Sequence, residues 1–456
     1  MATVVDPELQ VSAAPREAPL TLDQPAPRVL GWFDQLGLWG NLGISLLGPV
    51  GAIGVLQPAG LPALSFAGAA LAVVVGTLIG TAMVAVAAVP GAETGAPSMV
   101  LLRGLFGRRL SYLPTAVNIV QLVGWSVFEI VVITQAAQQL LHVHGYRWAF
   151  IVVAGLLTTA MTIRPLGAVR VLRRYALVLV TLATAYLFVQ LLRHPLPALT
   201  HGSWSGFWPA CDVAIAVAVS WAPLASDYTR HARTPRSAFG SAMVGYTVTQ
   251  VACYVLGLIA LATVVRSSSA DALQHDMFAA FIAVPVGWLA FGVLVARELD
   301  QSFADGYSTV VSLQNVWPRI DRRALAIAVC ALATLLALVL NINDYFNFLY
   351  LLGSVFVPLT AVFLVDYFLS RRLHWDISEE APARLVTLVP WLLGFATYQL
   401  VYPGGIGWWV HDWTTVAGWL HFTPQTWMSA SVLSFVVAAA FTVPITLATR
   451  RRQQQR

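Results

Sequence analysis

A chain of 456 residues that is 58% apolar and only 10% charged is excluded from the soluble globular class, where about a quarter of residues carry charge. Its formal net charge of +5 would suit a nucleic-acid binder, but the basic residues, all of them arginine, sit in short loops between apolar runs, as membrane topology expects. There is no Walker loop, nucleophile elbow or metalloprotease motif, and Cys211, Cys253 and Cys330 have neither metal-ligand nor disulfide spacing, so neither ATP-driven chemistry nor a cofactor is expected.

Residues 1–30 are rich in Pro and Ala, lack an apolar h-region, and read as a disordered cytoplasmic tail with no cleavable signal. Beyond them, apolar runs without period-2 alternation are long enough to cross a ~30 Å hydrocarbon layer as helices. The first five spans are predicted near Leu36–Leu56, Ala63–Val89, Tyr112–Leu141, Trp148–Ile163 and Val171–Leu192, within a unit 31–195. Spans 6 to 10 are predicted near Pro209–Tyr228, Ala238–Val265, Phe278–Ser302, Ala324–Leu340 and Phe346–Leu369, within 205–370. Spans 11 and 12, near Leu385–Val401 and Ala430–Ala448, fill 384–449, and residues 450–456 form a second cytoplasmic tail. Arginines crowd alternate loops: Arg103, Arg108 and Arg109; Arg164, Arg170, Arg173 and Arg174; Arg230, Arg233 and Arg236; Arg319, Arg322 and Arg323; Arg371, Arg372 and Arg384. The opposite loops carry only Arg147, Arg193 and Arg266, so both termini are expected in the cytoplasm of a cell-membrane protein.

Spans 1 and 6 share an irregularity. Span 1 holds Gly40, Gly43, Gly48, Pro49 and Gly51 in one crossing; span 6 holds Pro223 beside Ser220 and Ser226. Interruptions five spans apart suggest a five-plus-five inverted repeat whose broken ends offer N–H and C=O groups at the midplane. Glycine and proline also occur in membrane helices as packing notches and kinks, and that reading stays open.

Ionisable side chains at membrane depth are functional candidates by default. Glu129 in span 3 follows Trp125 by four residues, which puts indole and carboxylate on one helix face. An aromatic plate beside an acceptor-only carboxylate suits a flat heterocycle bearing several N–H donors. Trp221, at the Pro223 interruption, offers a second plate. Span 8 carries Arg297, Glu298, Asp300 and Asp305, a set fit for an ion or proton site with the broken span 1, or for a buried pair of Arg297 with Glu298 or Asp300, with Asp305 already at the cytoplasmic rim. Asp227 is expected to cap span 6 or pair with Arg230, and Asp212 and Asp344 to be solvated at outer span ends.

At these residues the chain resembles the nucleobase–cation symporters that include purine/cytosine permeases and hydantoin and allantoin transporters. The matching stretches are LWGNLG in span 1, GAETGAPSMVLLRGLFGRRLSYLP after span 2, NIVQLVGW with Glu129 in span 3, SWAPLASDYTR in span 6 and DGYSTVVSLQN after span 8. Within them, Gly95, Pro97, Leu101, Arg103, Phe106 and Gly107 form a spaced pattern, and the whole resemblance runs from Gly31 to Asp366. It implies that Trp125 and Glu129 hold the ring, that Trp221 stacks on its other face, and that Ser220 and backbone from Gly40, Asn41 and Gly43 to Ile44 complete the site. Asp305 is implied as a substrate contact, and Asp300, Glu298 and Ile44 as the cation-coupling group, with sodium placed near Gly40, Ile44 and Asp300. Sodium-coupled relatives use neighbouring span 8 hydroxyls where this chain has Leu299 and Asp300, a departure that counts against sodium and leaves protons open. A carboxylate at Glu129, where some relatives have an amide, favours donor-rich rings such as cytosine, guanine or an aminopyrimidine vitamin precursor.

The expected activity is import of such a ring by proton or sodium symport, through rocking of one helical bundle against another. An amino-acid or amine transporter on the same scaffold, an intramembrane enzyme and a passive channel are the rivals. The expected partners are a small heterocycle, a coupling cation and the bilayer, with no nucleic acid; the sequence leaves the oligomeric state open.

Overall fold

A computed structural model of the protein describes residues 20, 24–58, 61–143, 145–164, 166, 177–196, 198–263, 270–340, 345–370, 375–404 and 406–454. Asp344, most of the N-terminal tail and the loop arginines Arg170, Arg173, Arg174, Arg266, Arg371 and Arg372 lie outside the described residues.

The regular elements among the described residues are helical, joined by two isolated bridges, Leu30 to Ala232 and Leu64 to Ser203. Among the described residues, seven helices are long and apolar enough to cross a membrane: Phe66–Thr94, Tyr112–Leu140, Phe207–Thr229, Pro235–Thr263, Arg322–Val339, Phe346–Ser370 and Ala430–Thr449. Trp32–Leu42 and Leu47–Leu56 form one further span, bent by 59° at its break. The shorter apolar helices Arg147–Ile163, Val178–Leu191 and Leu385–Val401, together with the charged helix Gly287–Val316, complete a multi-pass, all-α membrane protein. Helices at the rim present Leu156, Leu182, Leu335 and Leu392 outward, the surface a lipid-facing helix must have.

Local chemistry explains the boundaries. Span 2 starts where Ser65 Oγ accepts from Gly68 N at 3.0 Å and stops at Gly95, whose φ of +76° only glycine adopts without strain. Helix Ser98–Phe106 then follows at once, a segment that hydropathy alone does not predict. Span 8 is a correction. It is expected to end at Ser302, yet the helix runs Gly287–Val316, and the residues before it form a separate helix, Ala270–Ala283. Charges from Arg297 to Asp305 depress hydropathy where the helix passes through the bundle; these side chains are buried against other spans, not stranded at a rim.

The main pairings repeat under an exchange of spans five apart. Span 1 packs on span 7 as span 6 packs on span 2; span 4 packs on span 8 as span 9 packs on span 3. Spans 2 and 7, and spans 3 and 8, pack on each other. Spans 11 and 12 add a layer against span 10. Asp366 ties that layer: it accepts from both Arg384 nitrogens at 2.8 and 2.9 Å, from Thr446 Oγ1 at 2.8 Å and from Trp375 Nε1 at 2.9 Å.

Candidate functional site

The site begins at the break in span 1. Helix Trp32–Leu42 ends, residues 43 to 46 turn, and helix Leu47–Leu56 departs at the new angle. Gly43 lets this turn lie on span 7: a Cβ there would stand 2.2 Å from Thr249 Oγ1 and 2.9 Å from the Tyr246 carbonyl. Span 8 satisfies both broken ends. The Arg297 guanidinium donates to the Asn41 carbonyl and, through Nε, to Asn41 Oδ1 at 3.2 Å, while Gln301 Nε2 donates to the Leu42 carbonyl at 2.6 Å. Past the turn, Ser45 Oγ and Leu46 N donate to the Glu298 carboxylate at 2.6 and 2.9 Å, which makes Glu298 the cap of the second half-helix.

Span 6 is interrupted differently. Helix Phe207–Val219 passes through Ser220 and Trp221 into a single 3-10 turn, Ala222–Leu224, around Pro223, and then a short helix, Ala225–Thr229. Gln121 of span 3 donates to the Ser220 carbonyl at 3.2 Å. Asp227 accepts from Ser98 N at 2.9 Å, so it caps helix Ser98–Phe106. At the other end of that helix Arg103 donates to Asn315 Oδ1 at 2.8 Å and to the Asn315 carbonyl at 2.9 Å. Three of the stretches noted in the sequence thus meet through specific polar contacts.

Between the two interruptions lies a narrow cavity of about 30 Å³. Trp125 and Glu129 reach it from span 3, Ser220 and Trp221 from span 6, Gly43 and Ser45 from span 1, and Asp305 from span 8. Trp125 is braced edge-on by Phe348, ring centroids 5.3 Å apart, and Trp221 by Tyr246 at 6.5 Å. Glu129 is buried, with Glu298, Asp305 and Arg297 within electrostatic reach. Glu129 Oε2, Gln250 Oε1, Gln301 Oε1 and the Tyr254 hydroxyl are buried without a hydrogen-bond partner among the described residues. Buried polar atoms of that kind are costly unless something pairs with them, and here they line one cavity. Among the described residues no group of His, Cys, Asp and Glu is arranged to hold a metal ion.

The remaining expected residues lie beside the cavity. Gly40 packs against Gly245, whose Cβ would stand 2.8 Å from Gly40 N. Asn41, Ile44, Glu298 and Asp300 gather where span 1 meets span 8: Asn41 Nδ2 donates to Asp300 at 3.4 Å, and Ile44 N to the Asn41 carbonyl at 3.0 Å. Asp212 is corrected. Expected to be solvated, it is buried, accepting from Ser429 Oγ at 2.6 Å, Ala430 N at 2.8 Å and Ser431 N at 3.1 Å as the cap of span 12. Span 7 is the contributor that sequence reasoning missed. Tyr246, Gln250 and Tyr254 line the cavity at a spacing of four, a polar stripe down one face of the helix. Gln301, one turn before Asp305, belongs to the same omission.

Residues 36–379 match the family described as permeases for cytosine/purines, uracil, thiamine and allantoin. YxlA of Bacillus subtilis (strain 168), named as a candidate purine-cytosine permease, is 24% identical over 330 residues, covering 67% of this chain and 70% of its own. Among solved structures, Mhp1, a nucleobase-cation-symport-1 family transporter in a closed conformation with bromovinylhydantoin bound, superposes with a TM-score of 0.73 at 15% identity, over 96% of each chain. Inward-facing Mhp1 gives 0.67 at 16% identity, over 96% of this chain and 94% of its own. Both structural likenesses establish the shared fold.

Proposed function

This chain belongs to the family of permeases for cytosine/purines, uracil, thiamine and allantoin, and on that premise we propose that it imports a nucleobase or related heterocycle of the cytosine/purine type by symport with a cation, a proton or sodium, through alternating access. As a family of permeases it does not catalyse a reaction, and the intramembrane-enzyme reading falls away. The observation that carries the proposal is the convergence of Trp125, Trp221 and Glu129 on one buried cavity between two interrupted spans. Indoles offer flat apolar faces for a ring; a carboxylate accepts from adjacent ring and exocyclic N–H groups. Ser220, Gly43 and Asp305 complete the proposed substrate contacts, with Gly40 and Asn41 supporting the turn beneath them. Arginine placement supports cytoplasmic termini in the cell membrane, and the paired packing supports units 31–195 and 205–370 rocking as repeats.

An amino-acid carboxylate would need a cation or free N–H groups at the start of a half-helix, and in span 1 those groups are taken by Glu298. Among the described residues the cavity is lined by Glu129 and Asp305 and by no arginine or histidine, which favours the heterocycle. Competition of radiolabelled cytosine uptake by a panel of bases, hydantoins and amino acids, run in sodium and in choline, tests the proposal. Competition by bases supports it; competition by amino acids alone refutes it.

A further inference from the structure

We propose that the Arg297 guanidinium occupies the cation position at the break of span 1 as a built-in charge, so that this transporter binds no sodium there. The inference deepens the symport reading and rests on it for the need of a coupling cation.

An interrupted membrane helix leaves carbonyls without intrahelical partners, and the negative end of the first half attracts a cation. Among the carbonyls that end the first half of span 1, Trp39's accepts from Gly43 N at 3.1 Å, and those nearest the break belong to Asn41 and Leu42. Both are taken: Asn41 by the Arg297 guanidinium and Ile44 N, Leu42 by Gln301 Nε2 at 2.6 Å. The guanidinium also holds Asn41 Oδ1 at 3.2 Å, and Asn41 Nδ2 turns to Asp300 at 3.4 Å. The positive end of the second half is met with equal economy by Glu298, through Ser45 Oγ and Leu46 N. Arg297 and Glu298, whose side chains are each 1% exposed, lie 3.7 Å apart, so two adjacent residues of span 8 neutralise the two ends of span 1 and each other.

Arginine suits this position because its charge is permanent and its fork of N–H donors reaches several oxygens at once. A sodium ion would have to displace it from Asn41 and then sit beside a guanidinium in a low-dielectric interior, where like charges repel strongly. The chemistry of the donor set therefore does not fit sodium. Coupling, on this account, runs without it.

Binding of 22Na+ to the purified full-length protein in detergent, displaced by unlabelled sodium, tests this without knowledge of the substrate. We expect no saturable binding by the wild-type protein, and an unfolding midpoint that does not move when sodium replaces choline at equal ionic strength. Saturable, displaceable 22Na+ binding would overturn the proposal. Arg297→Ala, paired with Glu298→Gln so that its ion-pair partner is not left charged while Asp300 remains to meet an incoming cation, is expected to gain a sodium-dependent rise in its unfolding midpoint. A folded double variant indifferent to sodium would contradict the role given to the guanidinium; if it does not fold, the wild-type measurement decides alone. Uptake separates the two readings: base uptake that needs sodium sinks this inference and leaves the transport reading standing, whereas no base uptake in any salt sinks the transport reading and leaves the sodium result intact.

Discussion

Gln121 of span 3 donates to the Ser220 carbonyl of span 6 at 3.2 Å, at the residue where span 6 leaves its helix. The same amide reaches Asn118 Oδ1 at 2.9 Å, and Asn118 Nδ2 reaches Ser312 Oγ of span 8 at 2.9 Å. Spans 8, 3 and 6 are thereby joined by a polar chain that sets the neighbouring Trp221. Gln121→Leu keeps most of the volume and leaves buried polar groups unpaired, at a cost of about 1–3 kcal/mol. We expect a lower unfolding midpoint and a KM for uptake that rises more than kcat falls, because the indole loses its position while the rocking motion is intact. Unchanged KM would separate Trp221 from the substrate.

Glu129→Gln tests the carboxylate itself. A charge-assisted hydrogen bond contributes about 1.5–3 kcal/mol, so uptake of an amino-substituted ring is expected to fall roughly 10- to 100-fold at equal protein in the membrane. Rings with acceptors in place of those amino groups are expected to lose less. Paired uptake of cytosine and uracil by both proteins measures this, and equal losses for both rings would contradict it.

Much of this arrangement is legible in the chain and some is not. Glycines and Pro49 in span 1, and Pro223 in span 6, mark the interruptions because a missing side chain or donor is a local property. The i, i+4 step from Trp125 to Glu129 likewise survives into the folded cavity as a shared face. Span 8 is misread at both boundaries, the helix running on past Ser302 to Val316, because the partners that let Arg297, Glu298 and Asp300 lie buried sit on span 1, about 250 residues away. Asp212 is misread for the same reason: its donors, Ser429 to Ser431, come from the far end of the chain. Tyr246, Gln250 and Tyr254 carry a visible period, but tyrosines in a membrane helix read as packing until a cavity is found beside them.

Asp212→Ala should separate stability from transport. It removes a carboxylate cap from the first turn of span 12, and loss of such a cap costs about 0.5–2 kcal/mol. A lowered unfolding midpoint with unchanged KM is expected from thermal denaturation and uptake kinetics. A changed KM would tie spans 6 and 12 to substrate recognition.

Gly43→Ala should be severe. The added Cβ meets the Tyr246 carbonyl at 2.9 Å as well as Thr249 Oγ1 at 2.2 Å, so the turn of span 1 must shift away from span 7. Gly418→Ala, where nothing lies within 4 Å, serves as its control and is expected to transport normally. Normal uptake by Gly43→Ala would show that the two spans do not need this contact.

Equilibrium binding of radiolabelled cytosine, adenine, guanine, uracil and allantoin to the purified protein, with indole fluorescence recorded alongside, bears most directly on the cavity between Trp125 and Trp221. At least one ring is expected to bind and quench the fluorescence, with affinity lost in Trp221→Ala and in Trp125→Ala. Binding that neither substitution weakens, or no binding by any ring to folded wild-type protein, would contradict a heterocycle site between these two indoles.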